Sequence, residues 1–318
     1  MKELNFLKII AEQLKNNNYL GDDCAYLKEL GIFVTQDTLV EDVHFSLDTT
    51  SPYLLGKKLI SVNLSDLASA LATPKYVAVS MSLPSNIDEQ FVSDLYKGIN
   101  DVCKKFKVSV IGGDITSSEK IVLSVCAIGK KTSKFITSRS FANKGDYIIT
   151  TGTYGSSACG LYALMNFLYA DNELIKAHLE PVPKVQEAKK LSKLLSSNVA
   201  GIDTSDGLID ALYKISEASG RSIQLDFDNV PVSDKVIEFC NINNLDYKNF
   251  VLWGGEDFEV IFTVPEETYN KIDKTQFKLI GRVLNKTKNS VVHIKSNNFN
   301  LKVTKDIFEK KSYNHFKD

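Results

Sequence analysis

The chain has 318 residues, enough for two ordinary domains, with 43% hydrophobic and 24% charged residues. Thirty-eight Lys and Arg against 39 Asp and Glu leave a net charge of −1, which argues against a nucleic-acid or anionic-membrane partner. Five cysteines without a C-x-x-C pair, four histidines, no signal-like N-terminus and no apolar run of ~20 residues argue against zinc, export and membrane spans, so the expected location is cytoplasmic.

Taken in chain order, residues Leu4 to Lys15 read as a helix with Phe6, Leu7, Ile10, Ala11 and Leu14 on one face. Ile32 to Thr35 is a short β-rich run. Ser51-Pro52 has the form of an N-cap followed by proline at the first helical position, opening a long helix. Tyr76 to Leu83 alternates as a half-buried strand, and Asp88 to Phe106 carries apolar residues at helical spacing. Strands are expected at Val108–Ile111 and Ile121–Ile128. A polar stretch then places a domain boundary near 138, giving an N-terminal domain 1–138 and a C-terminal domain 139–318. Beyond it the pattern predicts a strand at Tyr147–Thr151, a tight loop at Gly152–Gly155 and a helix at Ser156–Tyr169. Further helices are expected near Lys184–Leu195 and Leu208–Ser219, and strands near Ile223–Phe227, Glu259–Val264 and Phe277–Ile280. This alternation of strands and helices predicts α/β layering.

The chemistry-bearing feature is a series of acids beside glycines or at element ends: Asp22-Asp23, Asp37, Asp66, Asp114, Asp203 with Asp206, and Glu256-Asp257. Carboxylates are hard oxygen ligands suited to Mg²⁺, and several in one cleft repel one another unless cations neutralise them. A cleft of that kind suits phosphoryl transfer, which needs cations to offset charge on the moving group. Each group also has a plain reading. Asp beside Gly is common turn chemistry, Asp66 could cap a helix, and Asp203 and Asp206 could share the first turn of one. Gly152-Thr153-Tyr154-Gly155-Ser156 could cradle a phosphate or simply turn the chain. Neither a G-x-x-x-x-G-K-[ST] loop nor an H-R-D-x-x-x-x-N loop is present, which sets aside two common kinase frameworks.

The blocks GDDCA at 21–25, TQDTLVEDVHF at 35–45, VNLSDLASALATP at 62–74, IGGD at 111–114, IDTSDGL at 202–208 and GGEDFEVIFTV at 254–264 resemble the thiamine-monophosphate kinase family. Its superfamily also holds aminoimidazole ribonucleotide synthetase, selenophosphate synthetase and a hydrogenase maturation factor. The resemblance implies ATP-dependent phosphorylation of thiamine monophosphate to thiamine diphosphate by direct in-line transfer, with several Mg²⁺ ions. It implies metal ligands at Asp23, Thr35, Gln36, Asp37, Asp66, Asp114, Asp203 and Asp206, of which Asp37, Asp66 and Asp206 take the catalytic role. It implies ATP contacts at Tyr96, Gly113, Asp114, Arg139 and Ser205, and thiamine monophosphate contacts at His44, Glu256 and Tyr313. The implied fold is a two-domain α/β homodimer in which N-terminal sheets form a barrel across the dimer and a C-terminal α/β sandwich follows. Where the family usually has a pair of small hydroxyl residues before the second aspartate, this chain has Thr35-Gln36. Cys24 lies in a matching block, yet nothing in the chemistry requires a thiol, and it reads as packing. The alternatives are another ATP-dependent enzyme of the superfamily, such as aminoimidazole ribonucleotide synthetase, and a non-catalytic sensor of thiamine diphosphate or nucleotide.

Overall fold

In the computed structural model, which describes residues 2–14 and 18–316, two mixed sheets enclose one buried helix. The first half contains α1 (Lys2–Gln13), β1 (Ala25–Leu27), β2 (Ile32–Val40), α2 (Pro52–Ser69), β3 (Ala72–Leu83), α3 (Glu89–Phe106), β4 (Ser109–Ser117) and β5 (Val122–Lys131). Its strands lie in the order β1-β2-β5-β3-β4, and only β3 and β4 run parallel. That pair is joined through α3, because parallel neighbours need a long crossover. Val77, Val79 and Met81 of β3 and Leu123, Val125 and Ala127 of β5 are buried on one face. The residues between them face away from the helices, leaving this sheet open on its second face.

The second half contains β6 (Tyr147–Thr150), α4 (Ser156–Met165), α5 (Asn172–Leu179), α6 (Val185–Ser192), β7 (Ala200–Asp203), α7 (Leu208–Ser219) and β8 (Arg221–Asp226). It continues with α8 (Asp234–Ile242), α9 (Tyr247–Trp253), β9 (Val260–Val264), α10 (Glu266–Tyr269), β10 (Lys278–Lys286), β11 (Val292–Lys295), β12 (Asn300–Val303) and α11 (Lys305–Lys311). The sheet order is β12-β11-β8-β10-β6-β9-β7, antiparallel except between β8 and β11. This sheet is covered on both faces. In β9, Val260, Phe262 and Val264 join the core around α2, while Ile261 points into a second core under α4, α7 and α8.

The sequence expectations differ from the structure in instructive places. The Gly112-Gly113-Asp114 segment is part of an edge strand, so the turn reading fails there; β4 continues to Ser117 past a bulge at Ile111. The helix expected to reach Tyr169 stops at Met165, and Phe167 turns back with φ 53°. Helix α1 forms, but its apolar face is not core: Phe6, Leu7 and Ile10 are 42%, 53% and 48% exposed. The expected end of that helix at Lys15 lies outside the described residues. Among the described residues no helix is long and apolar enough to cross a membrane.

Helix α2 starts as predicted, with the Ser51 hydroxyl accepting from Leu54 N–H and Pro52 in the first turn. It is buried nearly all round, between the first sheet and α3 on one side and β7, β9 and α6 on the other. Glycines let α3 approach it: a Cβ on Gly56 would lie 2.1 Å from Leu95 O, and one on Gly98 would lie 1.9 Å from Tyr53 O. Gly98→Ala should therefore destabilise the fold by about 1–3 kcal/mol, seen as a lower midpoint in denaturant unfolding. An unchanged midpoint would show that the two helices are free to separate.

Candidate active site

One face of α2 carries a polar stripe at steps of three and four residues, Lys58, Ser65, Asp66 and Ser69, with Val62 between. Each polar side chain of the stripe meets an acid or hydroxyl from another element. Lys58 pairs with Glu256. Ser65 Oγ donates to Asp203 at the end of β7 at 2.6 Å, and Ser69 Oγ donates to Asp23. Asp66 accepts from the Thr35 hydroxyl of β2 at 2.5 Å. Asp66 thus stands in the last helical turn, where the cap reading places it at the wrong end: the partial negative charge of the helix C-terminus adds to its own.

Oxygens of Asp23, Asp66 and Asp203 all lie within 4.8 Å of one another. The backbone N–H of Asp203 donates to Asp23 at 3.0 Å, and the Arg139 guanidinium also pairs with Asp23. Arg139 Nε is buried without a hydrogen-bond partner. Asp37 adds a fourth carboxylate, its N–H held by Asn63 Oδ1 at 3.2 Å. Burial, opposed by a hydrogen bond with Asp66 and aided by the charge of Asp23, raises Asp37 to about 6. Burial and the Asp23 charge raise Asp203 to about 7, and Asp66 is pushed well above the usual carboxylate range by burial and Asp37. The same surroundings push the buried Cys24 thiol up, which keeps it protonated and agrees with a packing role.

A cleft of about 850 Å³ opens from these acids between the two halves. Asp37, Asp66, Ser205 and Asp206 line one end; His44, Glu256, Trp253 and Tyr313 line the rest, with Leu161 and Met165 adding apolar surface. The Ser205–Gly207 loop joins β7 to α7, so Asp203 and Asp206 do not share a helical turn. Asp206 is tied to Lys214, 2.8 Å away, which also meets Asp210 at 2.6 Å. His44 Nδ1 accepts from Val40 N–H at 3.1 Å, and its ring centre lies 5.1 Å from that of His315.

Other expected positions fall elsewhere. Gln36 alternates out of line with Thr35 and Asp37 along β2 and is exposed, yet it lines the same cleft as Asp37. Gly113 and Asp114 lie on the exposed edge strand; the rows Thr38–Ser124–Ser80–Asp114 put Asp114 three strands from β2, about 14 Å off, on the open face. Tyr96 packs against the first core from α3 and does not line the cleft. The glycine loop before α4 holds no room for phosphate, because Asp257 already accepts from Gly155 and Ser157 N–H at 2.7 and 3.0 Å. Sequence reasoning missed Lys58, Ser65, Ser69 and His178. The first three were detectable as the polar stripe of an otherwise apolar helix, whereas His178 had no local signal.

The raised carboxyls have a measurable consequence. Asp37 and Asp203 keep protons in the folded chain that the unfolded chain releases near pH 4, so their contribution to stability is complete below that pH. It is lost as pH rises through about 6 and 7. Without divalent metal, the melting temperature should fall between pH 5 and pH 8, and added Mg²⁺ should raise it more at pH 8 than at pH 5. A metal response that is larger at the acidic end would contradict the clustering.

Residues 21–130 match the family of AIR synthase related protein, N-terminal domain. The Bacillus subtilis thiamine-monophosphate kinase is 34% identical over 94% of this chain and 93% of its own length. The corresponding kinase of Buchnera aphidicola from Acyrthosiphon pisum is 36% identical over 99% of this chain and 100% of its own. Among solved structures, AaThiL complexed with AMPPCP and TMP has a TM-score of 0.85 at 29% identity, covering 99% of this chain and 98% of that one. The hydrogenase maturation protein HypE, at 18% identity and TM-score 0.72, shares the fold. With its two sheets, its acidic cleft and these relatives, the chain belongs to the thiamine-monophosphate kinase family.

Proposed function

We propose that the chain transfers the γ-phosphoryl group of ATP directly to thiamine monophosphate, giving thiamine diphosphate and ADP, with Mg²⁺ as its metal. The observation that carries this reading is the cleft itself, which Asp37, Asp66 and Asp206 line together with aromatic and apolar side chains, and which reaches the Asp23–Asp66–Asp203 cluster through Asp66. The donor set fits Mg²⁺: Asp23, Asp66 and Asp203 supply hard oxygens, with Asp37 and Asp206 beside them. Bound there, the metal would offset negative charge on the ATP and acceptor phosphates. An acceptor phosphate oxygen forms the new bond to the γ-phosphorus while the bond from that phosphorus to the β–γ bridging oxygen breaks. The acceptor is already ionised near neutral pH, so no strong base is needed. Thr35, Ser65, Ser69 and Asn63 fix the carboxylates and the β2 backbone beforehand, which lowers the reorganisation required at transfer.

The same reading includes a homodimer and a cytoplasmic location, where ATP and reduced thiols occur together. Gly113 and Asp114 lie on β4, an edge strand exposed along its whole length, with Ile111 and Ile115 56% and 68% exposed. A second copy packed along that edge would cover Ile111 and Ile115 and carry its own Asp114 toward β2, from which the single chain's Asp114 stands about 14 Å away.

Two measurements test this. Asp37→Asn should lower turnover by about a hundredfold or more at saturating Mg²⁺ while leaving the metal-free melting temperature unchanged or higher. Retention of most activity would remove Asp37 from the site. In sedimentation, the chain should run as two copies, and Ile115→Glu should run as one with little activity. A fully active single-copy species would overturn the shared site.

A further inference from the structure

Behind the acceptor end of the cleft lies a buried trio that the phosphoryl-transfer chemistry does not use. Lys58 Nζ sits 3.0 Å from one oxygen of Glu256 and 3.1 Å from the other, and His178 Nδ1 sits 3.1 Å from Glu256 Oε2. Lys58 and His178 are almost wholly buried, with side chains 4% and 5% exposed, whereas Glu256 keeps 26% and lines the cleft with His178. The two donors therefore hold the carboxylate from within, and its remaining lone pairs face the cleft. Its backbone is equally fixed. Glu256 has φ 65° and Phe258 has φ 49°, both in the left-handed region that side chains rarely adopt. The Glu256 N–H donates to Ser205 O at 2.7 Å, and the neighbouring Asp257 is clamped by the start of α4.

Burial pushes the Glu256 carboxyl up, but the Lys58 ammonium and the His178 hydrogen bond outweigh it and hold the group at about 2. An ionised carboxylate only accepts hydrogen bonds. Lys58 and Asp66 are two turns apart on α2, about 12 Å along the axis, which separates the Lys58-held carboxylate from the Asp66 carboxylate. Thiamine monophosphate carries its phosphate at one end and a pyrimidine with an exocyclic amine at the other.

We infer that Lys58 and His178 are positioning residues that present the Glu256 carboxylate as a fixed acceptor for the exocyclic amine of the pyrimidine, making this trio the element that selects an amino-substituted ring. The inference rests on thiamine monophosphate being the acceptor. Facing a ring carbonyl instead, the carboxylate would meet acceptor with acceptor, and its cleft-side lone pairs would be left without a donor.

Steady-state kinetics with ATP and Mg²⁺ can compare thiamine monophosphate with oxythiamine monophosphate, in which a ring carbonyl and N–H replace the amine. The wild-type chain should prefer the amine by about a hundredfold in kcat/KM. Lys58→Met and His178→Leu should raise KM for thiamine monophosphate by about tenfold or more, with kcat within about threefold and KM for ATP unchanged. His178→Gln keeps an N–H donor and should recover most of the loss. Glu256→Gln offers its amide to either ring and should erase or reverse the preference. Because Lys58→Met alone strands a charge and weakens folding, the double variant Lys58→Met/Glu256→Gln removes both charges and should fold with the preference still erased. Unchanged discrimination in Glu256→Gln and in the double variant, or loss of kcat at constant KM in the Lys58 and His178 variants, would overturn the inference. A wild-type chain that phosphorylates neither compound would overturn the functional reading beneath it.

Discussion

The structure depends on a helix buried between two sheets that nevertheless carries a polar stripe. Burying Lys58, Ser65, Asp66 and Ser69 in the middle of the molecule is tolerable only because each meets a partner from a different element: Glu256, Asp203, Thr35 and Asp23. Those partners come from both halves of the chain. The stripe therefore fixes how the halves sit against each other, and its Val62 and Asp66 form part of the floor of the cleft. A shift of α2 by one residue would rotate every one of these groups by about 100° and leave them buried and unpaired.

The acid end of that floor is electrostatically unfavourable by construction. Asp23, Asp37, Asp66 and Asp203 stand close together, and the C-terminus of α2 points its carbonyl dipoles at them. Arg139 offsets part of the charge, chiefly through its ion pair with Asp23. The remainder is carried as raised carboxyl pKa values, a cost that a divalent cation with its phosphate ligands removes on binding. Affinity for metal and instability without it are thus two consequences of one arrangement.

Other acids that look alike in sequence have quite different work. Asp257 satisfies the first N–H groups of α4, and Glu259 takes a hydrogen bond from Thr151 at 2.6 Å and pairs with Lys184 at 3.0 Å. Both hold the strained turn that aims Glu256, from one and three residues after it. The Gly254-Gly255 pair is needed because a Cβ on Gly254 would lie 2.2 Å from Phe250 O and one on Gly255 would lie 2.6 Å from Ser205 O. A motif read as a row of ligands proves to be one cleft-facing carboxylate in a rigid mount.

The sequence by itself determined most of the secondary structure and the identity of the acids. Helices with caps and helical spacing, such as α2 and α3, and alternating strands such as β3 follow from local steric and hydrophobic rules that act within a few residues. The short β1, β11 and β12 and helices α5, α8 and α9 were not legible, because they gain stability from the sheet or core they join more than from their own pattern. Only the tertiary structure decided which acids share a cluster, since Asp23 and Asp203 are 180 positions apart and meet through a backbone hydrogen bond. It alone put Asp114 on an open sheet face, filled the α4 N-terminus with Asp257, and joined Lys58 and His178 to Glu256. Charge interactions of this kind act through space at a few ångströms, and sequence spacing carries no record of that distance.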